Sequence, residues 1–343
     1  MKKWLSLGTI FALTFSAYTH ASPSSLENII NVSETKPCFS GVFESYDTWV
    51  NALASRKKHF DKARFPFSKA EFSHYQSTLD CYSFTYSVEG NPVIGFLVKP
   101  KSATGATPTL IFNRGGNGNY GSLNMGRIMH SVMPVAEQGF VVIASSYRGN
   151  QRVKYEDFVA DNSQDQFGGR DVNDVIALVD ILKQLPFADT EQLGVYGSSR
   201  GGMQSFLFAK SYPDITAIAT VSGSADLYTA VTENQRPNFT RMVQKRIPDY
   251  ETHAESALKA RSPVYWADTI PDVPVLIIHA KDDERVLFSE AETLNNELTK
   301  LDREVTFKIY PTGGHGLRDA PKGEVNRIIG DFFKQALKEK IKQ

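Results

Sequence analysis

Patterns typical of buried strands and amphipathic helices alternate along the chain from about residue 80 onward. Six short apolar runs have the length and composition of strands that are buried on both faces, at 109–112, 140–144, 193–196, 217–221, 275–279 and 305–310. Between them, apolar residues recur every three or four positions, as in Val172, Val175 and Val179. Strands of this kind separated by helices predict an α/β fold, in which a mostly parallel sheet carries helices on both faces.

The region before these strands has a different pattern. Residues 22 to about 80 are rich in aromatic side chains and are expected to form an N-terminal helical extension that packs on the main domain as a cap. Polar and apolar residues then alternate over 82–88, a Glu-Gly-Asn-Pro turn follows at 89–92, and 93–98 form a second strand. This order predicts a β-hairpin at an antiparallel edge of the sheet, at the start of a domain that covers 81–343.

The first 21 residues have the layout of a secretory signal peptide. Lys2 and Lys3 precede an apolar stretch over 4–18, and a small residue, Ala21, stands before a polar stretch. The apolar stretch is shorter than the ~20 residues that a transmembrane helix needs. We therefore expect an exported protein, periplasmic or secreted, that is cleaved after Ala21 and has no membrane anchor.

The charge and cysteine content mainly exclude classes of partner and ligand. Lysine plus arginine and aspartate plus glutamate each total 38, and no long run of one sign occurs, so no nucleic-acid partner is expected. Cys38 and Cys81 can form a disulfide in an oxidising compartment or remain buried thiols, and the sequence leaves both possibilities open. No motif typical of a metal site occurs, so no metal is expected.

A nucleophile motif follows the strand predicted at 193–196. The sequence Gly197-Ser198-Ser199-Arg200-Gly201 is a G-x-S-x-G placed between a buried strand and an apolar helix. In the α/β-hydrolase fold this turn presents the serine hydroxyl at the carboxyl edge of the sheet, and the N-terminus of the following helix favours developing negative charge. Ser199 is therefore the predicted nucleophile. The more polar stretch at about 223–262 lacks strand periodicity and is predicted to be a lid-like insertion over the site.

A serine nucleophile needs a base, and the base needs an orienting acid. In this fold the three residues follow one another along the chain as serine, acid and histidine. His315 is the histidine that follows the next strands, in a glycine-rich loop at 311–316. The strand at 275–279 leads to two candidate acids, of which Asp283 is preferred and Asp282 is the alternative.

The loop after the strand at 109–112 is expected to help bind the oxyanion of the transition state. One N–H donor should be that of Arg200, and the second should be that of Gly116, with Gly115 as the alternative. The same loop contains a GxGxxG pattern, but a hairpin precedes its strand and no acidic residue ends the next one, so no dinucleotide and no other cofactor is expected. Arg114 is expected either to hold a substrate carboxylate or to form a structural ion pair.

Together these residues resemble the catalytic domain of the prolyl oligopeptidase (S9) family over about residues 80–340. The motifs that carry the resemblance are Arg114-Gly115-Gly116, Tyr147-Arg148-Gly149, Gly169-Arg170-Asp171-Val172, the elbow with its double glycine, Ser262-Pro263, the segment 274–286 and Gly314-His315-Gly316. The spacing from His279 favours Asp283 as the acid. Two features differ from many relatives: only 22–80 precede the domain, so no β-propeller is expected, and the oxyanion loop reads Asn-Arg-Gly-Gly in place of His-Gly-Gly.

The resemblance and the order of the three residues imply a serine hydrolase that forms an acyl-enzyme on Ser199. By resemblance, the first expectation is a serine-type peptidase that acts on short peptides. Carboxylic ester hydrolysis is the alternative. A catalytically silent binding protein of the same fold is a third possibility, and the complete Ser-Asp-His order argues against it. The sequence gives no information on oligomeric state.

Overall fold

The computed structural model describes residues 24–56, 58–150, 164–233 and 236–340. The predicted signal peptide, residues 1–21, lies outside the described residues. Within these ranges, no helix is long and apolar enough to cross a membrane.

The described residues form one mixed sheet of nine strands. These are β1 Val32–Pro37, β2 Leu79–Val88, β3 Asn91–Pro100, β4 Thr107–Asn113, β5 Val141–Ser145, β6 Ala188–Ser198, β7 Ala217–Val221, β8 Val275–Ala280 and β9 Val305–Tyr310. Their order across the sheet is β1-β2-β3-β5-β4-β6-β7-β8-β9. The pairs β1–β2, β2–β3 and β3–β5 are antiparallel, and all pairs from β5 to β9 are parallel. All six predicted apolar runs lie in strands, and the mostly parallel sheet is confirmed.

Helices cover both faces of this sheet. They are α1 Ser24–Glu27, α2 Tyr46–Arg56, α3 Lys69–Thr78, α4 Met125–Ser131, α5 Met133–Ala136, α6 Asp171–Lys183, α7 Arg200–Ser211, α8 Leu227–Thr232, α9 Pro237–Arg246, α10 Tyr250–Lys259, α11 Phe288–Lys300 and α12 Glu324–Lys340. One hydrophobic core lies between the sheet and helices α6, α7 and α11. A second core lies on the opposite face, between the sheet and helices α2, α3, α4, α5 and α12. The central strands are therefore mostly apolar, and β5 and β8 are buried along their whole length.

The N-terminal region is only partly helical, which corrects the prediction for residues 22–80. Helices α2 and α3 are present, but Val32–Pro37 forms β1 and pairs with β2 outside the predicted hairpin. The hairpin of β2 and β3 is itself confirmed and turns at Glu89 and Gly90, both with positive φ. Strand β1 is polar and mostly exposed. It is held by backbone pairing instead of side-chain burial, so its hydrophobic pattern did not reveal it.

The two cysteines form a disulfide between the end of the β1 region and β2. Cys38 and Cys81 have Cα atoms 5.3 Å apart and are separated by 43 residues in sequence. The backbone N–H of Cys38 also donates to the carbonyl of Cys81 at 2.8 Å. The bridge ties the N-terminal region to the sheet and closes a long loop of the unfolded chain, which is the condition under which a disulfide stabilises most in the chain-entropy description.

Candidate active site

Ser199 occupies a strained turn between β6 and α7. Its backbone has φ 58° and ψ −126°, a conformation that non-glycine residues rarely adopt. Three backbone hydrogen bonds hold it: the Ser199 N–H donates to Val221, and the Ser199 carbonyl accepts from Gly202 and Ser224, at 2.9–3.0 Å. Such an outlier persists only where the surroundings enforce it, and it places the hydroxyl at the carboxyl edge of the sheet.

The flanking glycines of the elbow have no space for a side chain. A Cβ atom on Gly197 would lie 2.1 Å from the carbonyl oxygen of Gly201, and one on Gly201 would lie 2.0 Å from that of Asn113. The glycines of the G-x-S-x-G motif are therefore required by the close approach of β6, β4 and α7.

A buried carboxylate orients His315. Asp283 Oδ2 lies 2.9 Å from His315 Nδ1, while Oδ1 accepts hydrogen bonds from the N–H groups of Arg285 and Val286 at 2.8 and 3.1 Å. Burial would raise the pKa of Asp283, but the hydrogen bonds from His279 and His315 and the backbone hold that pKa well below its usual range. The group is therefore a carboxylate over the working range of pH, and it fixes the Nδ1 proton of His315.

The two neighbouring aspartates have different partners. Asp282 is exposed and accepts hydrogen bonds from the N–H groups of Gly313 and Gly314, at 3.2 and 2.8 Å. It fastens the loop that carries His315 but makes no hydrogen bond to the imidazole. The structure thus brings Asp283, the preferred acid, to the histidine and gives the alternative acid a supporting position.

A second buried imidazole contacts Asp283. His279 Nε2 lies 2.9 Å from the carbonyl oxygen of Val286 and 3.3 Å from Asp283 Oδ2. Since both neighbours are acceptors, Nε2 carries the proton. In the sequence analysis, His279 served only as a spacing mark within a motif. Its position at the end of β8, four residues before the acid, is the signal that could have indicated this contact.

The loop between β4 and α4 packs directly on the nucleophile. A Cβ atom on Gly115 would lie 3.0 Å from Ser199 Cβ, and Gly116 has φ 77° with no space for a side chain against Tyr120. Gly116 and Arg200, the two predicted oxyanion donors, both line the same cavity as Ser199. The predicted donors therefore lie beside the nucleophile.

The side chain of Arg200 links this loop to the elbow. Its Nη1 donates to the Gly116 carbonyl at 3.0 Å and to Asp165 at 2.7 Å, and its Nη2 donates to Asp171 at 2.5 Å. Asp165 in turn accepts from the N–H of Gly118 at 2.7 Å. Burial would raise the pKa of Asp165, but Arg200 lowers that pKa to about 2. The ion pairs are buried and hydrogen-bonded, so they hold the loop in one position.

Arg114 occupies a structural position, which corrects the substrate contact considered from the sequence. Its side chain is fully buried and does not line the cavity. All five of its N–H groups donate to backbone carbonyls, those of Gly115, Gly118, Tyr120 and Ser146, at 2.6–3.2 Å. No donor is left for a substrate carboxylate. The predicted structural role is right in kind, but carbonyl oxygens replace the expected ion-pair partner.

Ser199 and His315 line one cavity of about 1020 Å³. Several separate parts of the chain contribute to its wall, among them Phe67 from the N-terminal region, Gly116 from the loop after β4, and Phe239 from the helices between β7 and β8. Among the described residues, no group of three or more His, Cys, Asp or Glu side chains could hold a metal ion. A serine, an oriented histidine and a lined cavity together can support acyl transfer.

Comparison with known proteins identifies the family. The model of the prolyl oligopeptidase family, Peptidase_S9, matches residues 127–340. The uncharacterized peptidase YtmA of Bacillus subtilis is 27% identical over 262 residues, which are 76% of this chain and 95% of YtmA. The uncharacterized peptidase YuxL of the same organism is also 27% identical, over 73% of this chain but only 38% of its own length.

Solved structures share the fold at lower identity. Acylaminoacyl peptidase of Pyrococcus horikoshii matches with a TM-score of 0.64 and 21% identity, over 79% of this chain and 44% of that one. A puromycin-hydrolyzing peptidase of Mycobacterium tuberculosis matches with a TM-score of 0.58 and 21% identity, over 73% of this chain and 39% of that one. This chain thus spans less than half of these larger proteins. It belongs to the prolyl oligopeptidase family and is a serine hydrolase of the α/β-hydrolase fold.

Proposed function

We propose that this protein is a serine peptidase that acts on short peptides, with Ser199 as nucleophile, His315 as base and Asp283 as acid. One observation carries the proposal. Ser199 is held in a strained turn on the wall of the cavity that His315 also lines, and His315 Nδ1 lies 2.9 Å from the buried Asp283 carboxylate. Acyl transfer needs a serine and a carboxylate-oriented histidine that share one cavity, and this arrangement supports the proposal.

The chemistry follows from these positions. His315 Nε2 takes the proton of the Ser199 hydroxyl as its oxygen attacks the scissile carbonyl carbon, and the backbone N–H groups of Gly116 and Arg200 donate to the resulting oxyanion. The imidazolium then protonates the leaving amine, the C–N bond breaks, and an ester on Ser199 remains. Water, deprotonated by His315, attacks that ester and releases the acid. Asp283 stabilises the imidazolium throughout.

Membership of a peptidase family and the shape of the cavity support a short peptide as the substrate. The cavity is at the upper end of the volumes of about 300–1,000 Å³ that small-molecule sites have, which is room for a few residues. The N-terminal region and the helices between β7 and β8 both contribute to its wall, and we expect them to restrict access to Ser199. The helical insertion is therefore also proposed to act as a lid.

A substrate panel tests the proposal. The value of kcat/KM is measured for aminoacyl amides, blocked di- and tripeptide amides and simple acyl esters, in the native protein and in Ser199→Ala. We expect turnover of peptide amide bonds that Ser199→Ala abolishes. Turnover of the esters alone, with every peptide amide left intact, would contradict the peptidase proposal and favour a carboxylic ester hydrolase.

We further propose that the protein is exported and cleaved after Ala21. The basic, apolar and small residues at the start of the chain support this, and so does the Cys38–Cys81 disulfide, since disulfides persist in oxidising compartments. The mass of the protein isolated from its native source should correspond to a chain that begins at Ser22. A mass that includes Met1 would contradict the proposal.

A further inference from the structure

Four arginines on the wall of the active-site cavity have no carboxylate partner within the described part of the chain. They are Arg127, Arg236, Arg285 and Arg318. No described Asp or Glu oxygen lies within ion-pairing distance of any of them. Other cations of the same wall are neutralised: Arg200 by Asp165 and Asp171, and Lys322 by Glu71 at 2.8 Å.

This excess of positive charge is local. The chain as a whole carries 38 basic and 38 acidic residues. The two acidic side chains of the wall are already engaged, Glu71 with Lys322 and Glu290 with a hydroxyl and two backbone N–H groups. The unpaired guanidinium groups are therefore concentrated at the site, where their positive potential acts on whatever enters.

Two of these arginines are fixed along the wall between the oxyanion loop and the insertion. Arg236 stacks over the ring of Phe239, 4.7 Å from its centroid, and donates to the carbonyl of Arg285. Arg285 Nη1 lies 3.4 Å from the Tyr120 hydroxyl, on the loop that packs against Ser199. Contacts of this kind orient the guanidinium planes while most of their N–H groups stay available to a ligand.

The other two arginines lie elsewhere on the wall. Arg318 follows His315 by three residues and is exposed, while Arg127 is on α4 and is partly buried. Burial lowers the pKa of Arg127 from its ordinary value, which reflects a cation that is desolvated without a counter-charge. A bound anion would supply that counter-charge. Planar guanidinium groups match carboxylates in shape and form paired hydrogen bonds with them.

We infer that the cavity selects substrates that carry a carboxylate close to the scissile bond. The carboxylate is either an acidic side chain or the free C-terminus of a short peptide, and Arg236 and Arg285 are its principal contacts. This inference rests on the proposed peptidase function and names its substrate class. Arg236 and Arg285 act on specificity, and they take no part in the transfer of the acyl group.

Matched substrate pairs test the inference and separate the two sources of the carboxylate. The first pair is one peptide with a C-terminal acid or amide. The second replaces Glu by Gln on either side of the scissile bond. A third pair, the 4-nitrophenyl esters of succinic and butyric acids, presents the same choice without a peptide bond. For each pair the ratio of kcat/KM between charged and neutral members is measured, at low and high salt.

The variants are Arg236→Gln with Arg285→Gln, singly and together. Arg241→Gln is the control, because Arg241 lies on α9, which begins directly after Arg236, and it is exposed and does not line the cavity. Thermal unfolding of each variant is recorded so that only folded proteins are compared.

We expect the native enzyme to prefer the charged member of at least one pair by about tenfold, as charge-assisted hydrogen bonds allow. The preference should fall at high salt, disappear in the double variant and persist in Arg241→Gln. An arginine-dependent preference among the esters with no peptide hydrolysed would support the carboxylate site and refute the peptidase proposal. Ratios near one in every pair, or ratios equal in the double variant and in Arg241→Gln, would overturn the inference even where peptides are hydrolysed.

Discussion

At the scale of single residues, the turns that follow β6 and β8 determine which side chains meet at the active site. Ser199 follows from its motif, since a G-x-S-x-G after a buried strand has one favourable structure. Asp282 and Asp283 are adjacent residues of the same type, and the spacing from His279 favoured Asp283. The physical difference arises because the chain turns after β8, so that Asp283 is buried against His315 and Asp282 reaches the backbone of the loop that carries His315.

This separation leads to a prediction about the two aspartates. Asp283→Asn should lower kcat/KM by about three to four orders of magnitude, because an amide does not stabilise the imidazolium or fix the correct tautomer of His315. Asp282→Asn should lower it less than tenfold, since Asp282 makes no hydrogen bond to His315 and the amide oxygen can replace one of the two carboxylate oxygens that accept from Gly313 and Gly314. Kinetics of both variants on one substrate check this. The reverse ranking of the two variants would refute the assignment of Asp283 as the acid.

Other residue-scale features depend on partners from distant parts of the chain and could not be predicted. Arg114 follows a strand, as a substrate-binding residue would, but its five donors meet carbonyls from two separate loops. His279 contacts the acid because β8 ends in a tight turn that brings Val286 back to it. Contacts of this kind cannot be inferred from the spacing of residues along the chain.

At the scale of elements, the accuracy of prediction follows the burial of each strand. The central strands β4 to β8 are buried on both faces, so their sequences are apolar runs that could be recognised as strands. Strand β1 is stabilised by pairing with β2 and by the adjacent disulfide, so its polar residues carried no strand signal. Strands with a regular pattern of apolar side chains could therefore be predicted, and β1, which has no such pattern, could not.

A buried carboxylate, that of Glu290, links α11 to the start of the insertion and leads to a prediction about the pH dependence of stability. Glu290 of α11 accepts from the Ser224 hydroxyl and from the N–H groups of Ala225 and Asp226, at 3.0–3.1 Å. Burial raises the pKa of Glu290 to about 7. The folded state thus binds this proton more tightly than the unfolded state, and the stabilisation present below about pH 4.5 is lost as pH rises towards 7.

Glu290→Gln keeps the acceptor oxygen and removes the titration. From pH 4.5 to 8 the native protein should therefore lose stability relative to Glu290→Gln, by at most about 3 kcal/mol. Denaturant unfolding of both proteins at several pH values measures this difference. A difference that stays constant over the whole range would show that Glu290 does not titrate as the structure indicates.

At the scale of the whole molecule, two hydrophobic cores hold the sheet, and separate regions complete the cavity on its carboxyl edge. The α/β architecture was predictable because it repeats one local pattern many times. The contribution of Phe67 and Phe239 to one cavity wall was not predictable from the sequence, because it depends on how the N-terminal region and the insertion fold back over the sheet. The cluster of four arginines that have no carboxylate partner among the described residues likewise depends on how these regions assemble.

The central claim is that Ser199 is the nucleophile of a hydrolase. A fluorophosphonate probe tests it most directly, because the probe reacts with a serine that a neighbouring base activates. Intact-mass and peptide mapping should show one adduct per chain, located on Ser199 and absent from Ser198, with hydrolysis lost in proportion to labelling. Ser199→Ala should bind no probe and hydrolyse no substrate. Labelling at another residue, or full hydrolysis by Ser199→Ala, would contradict the account.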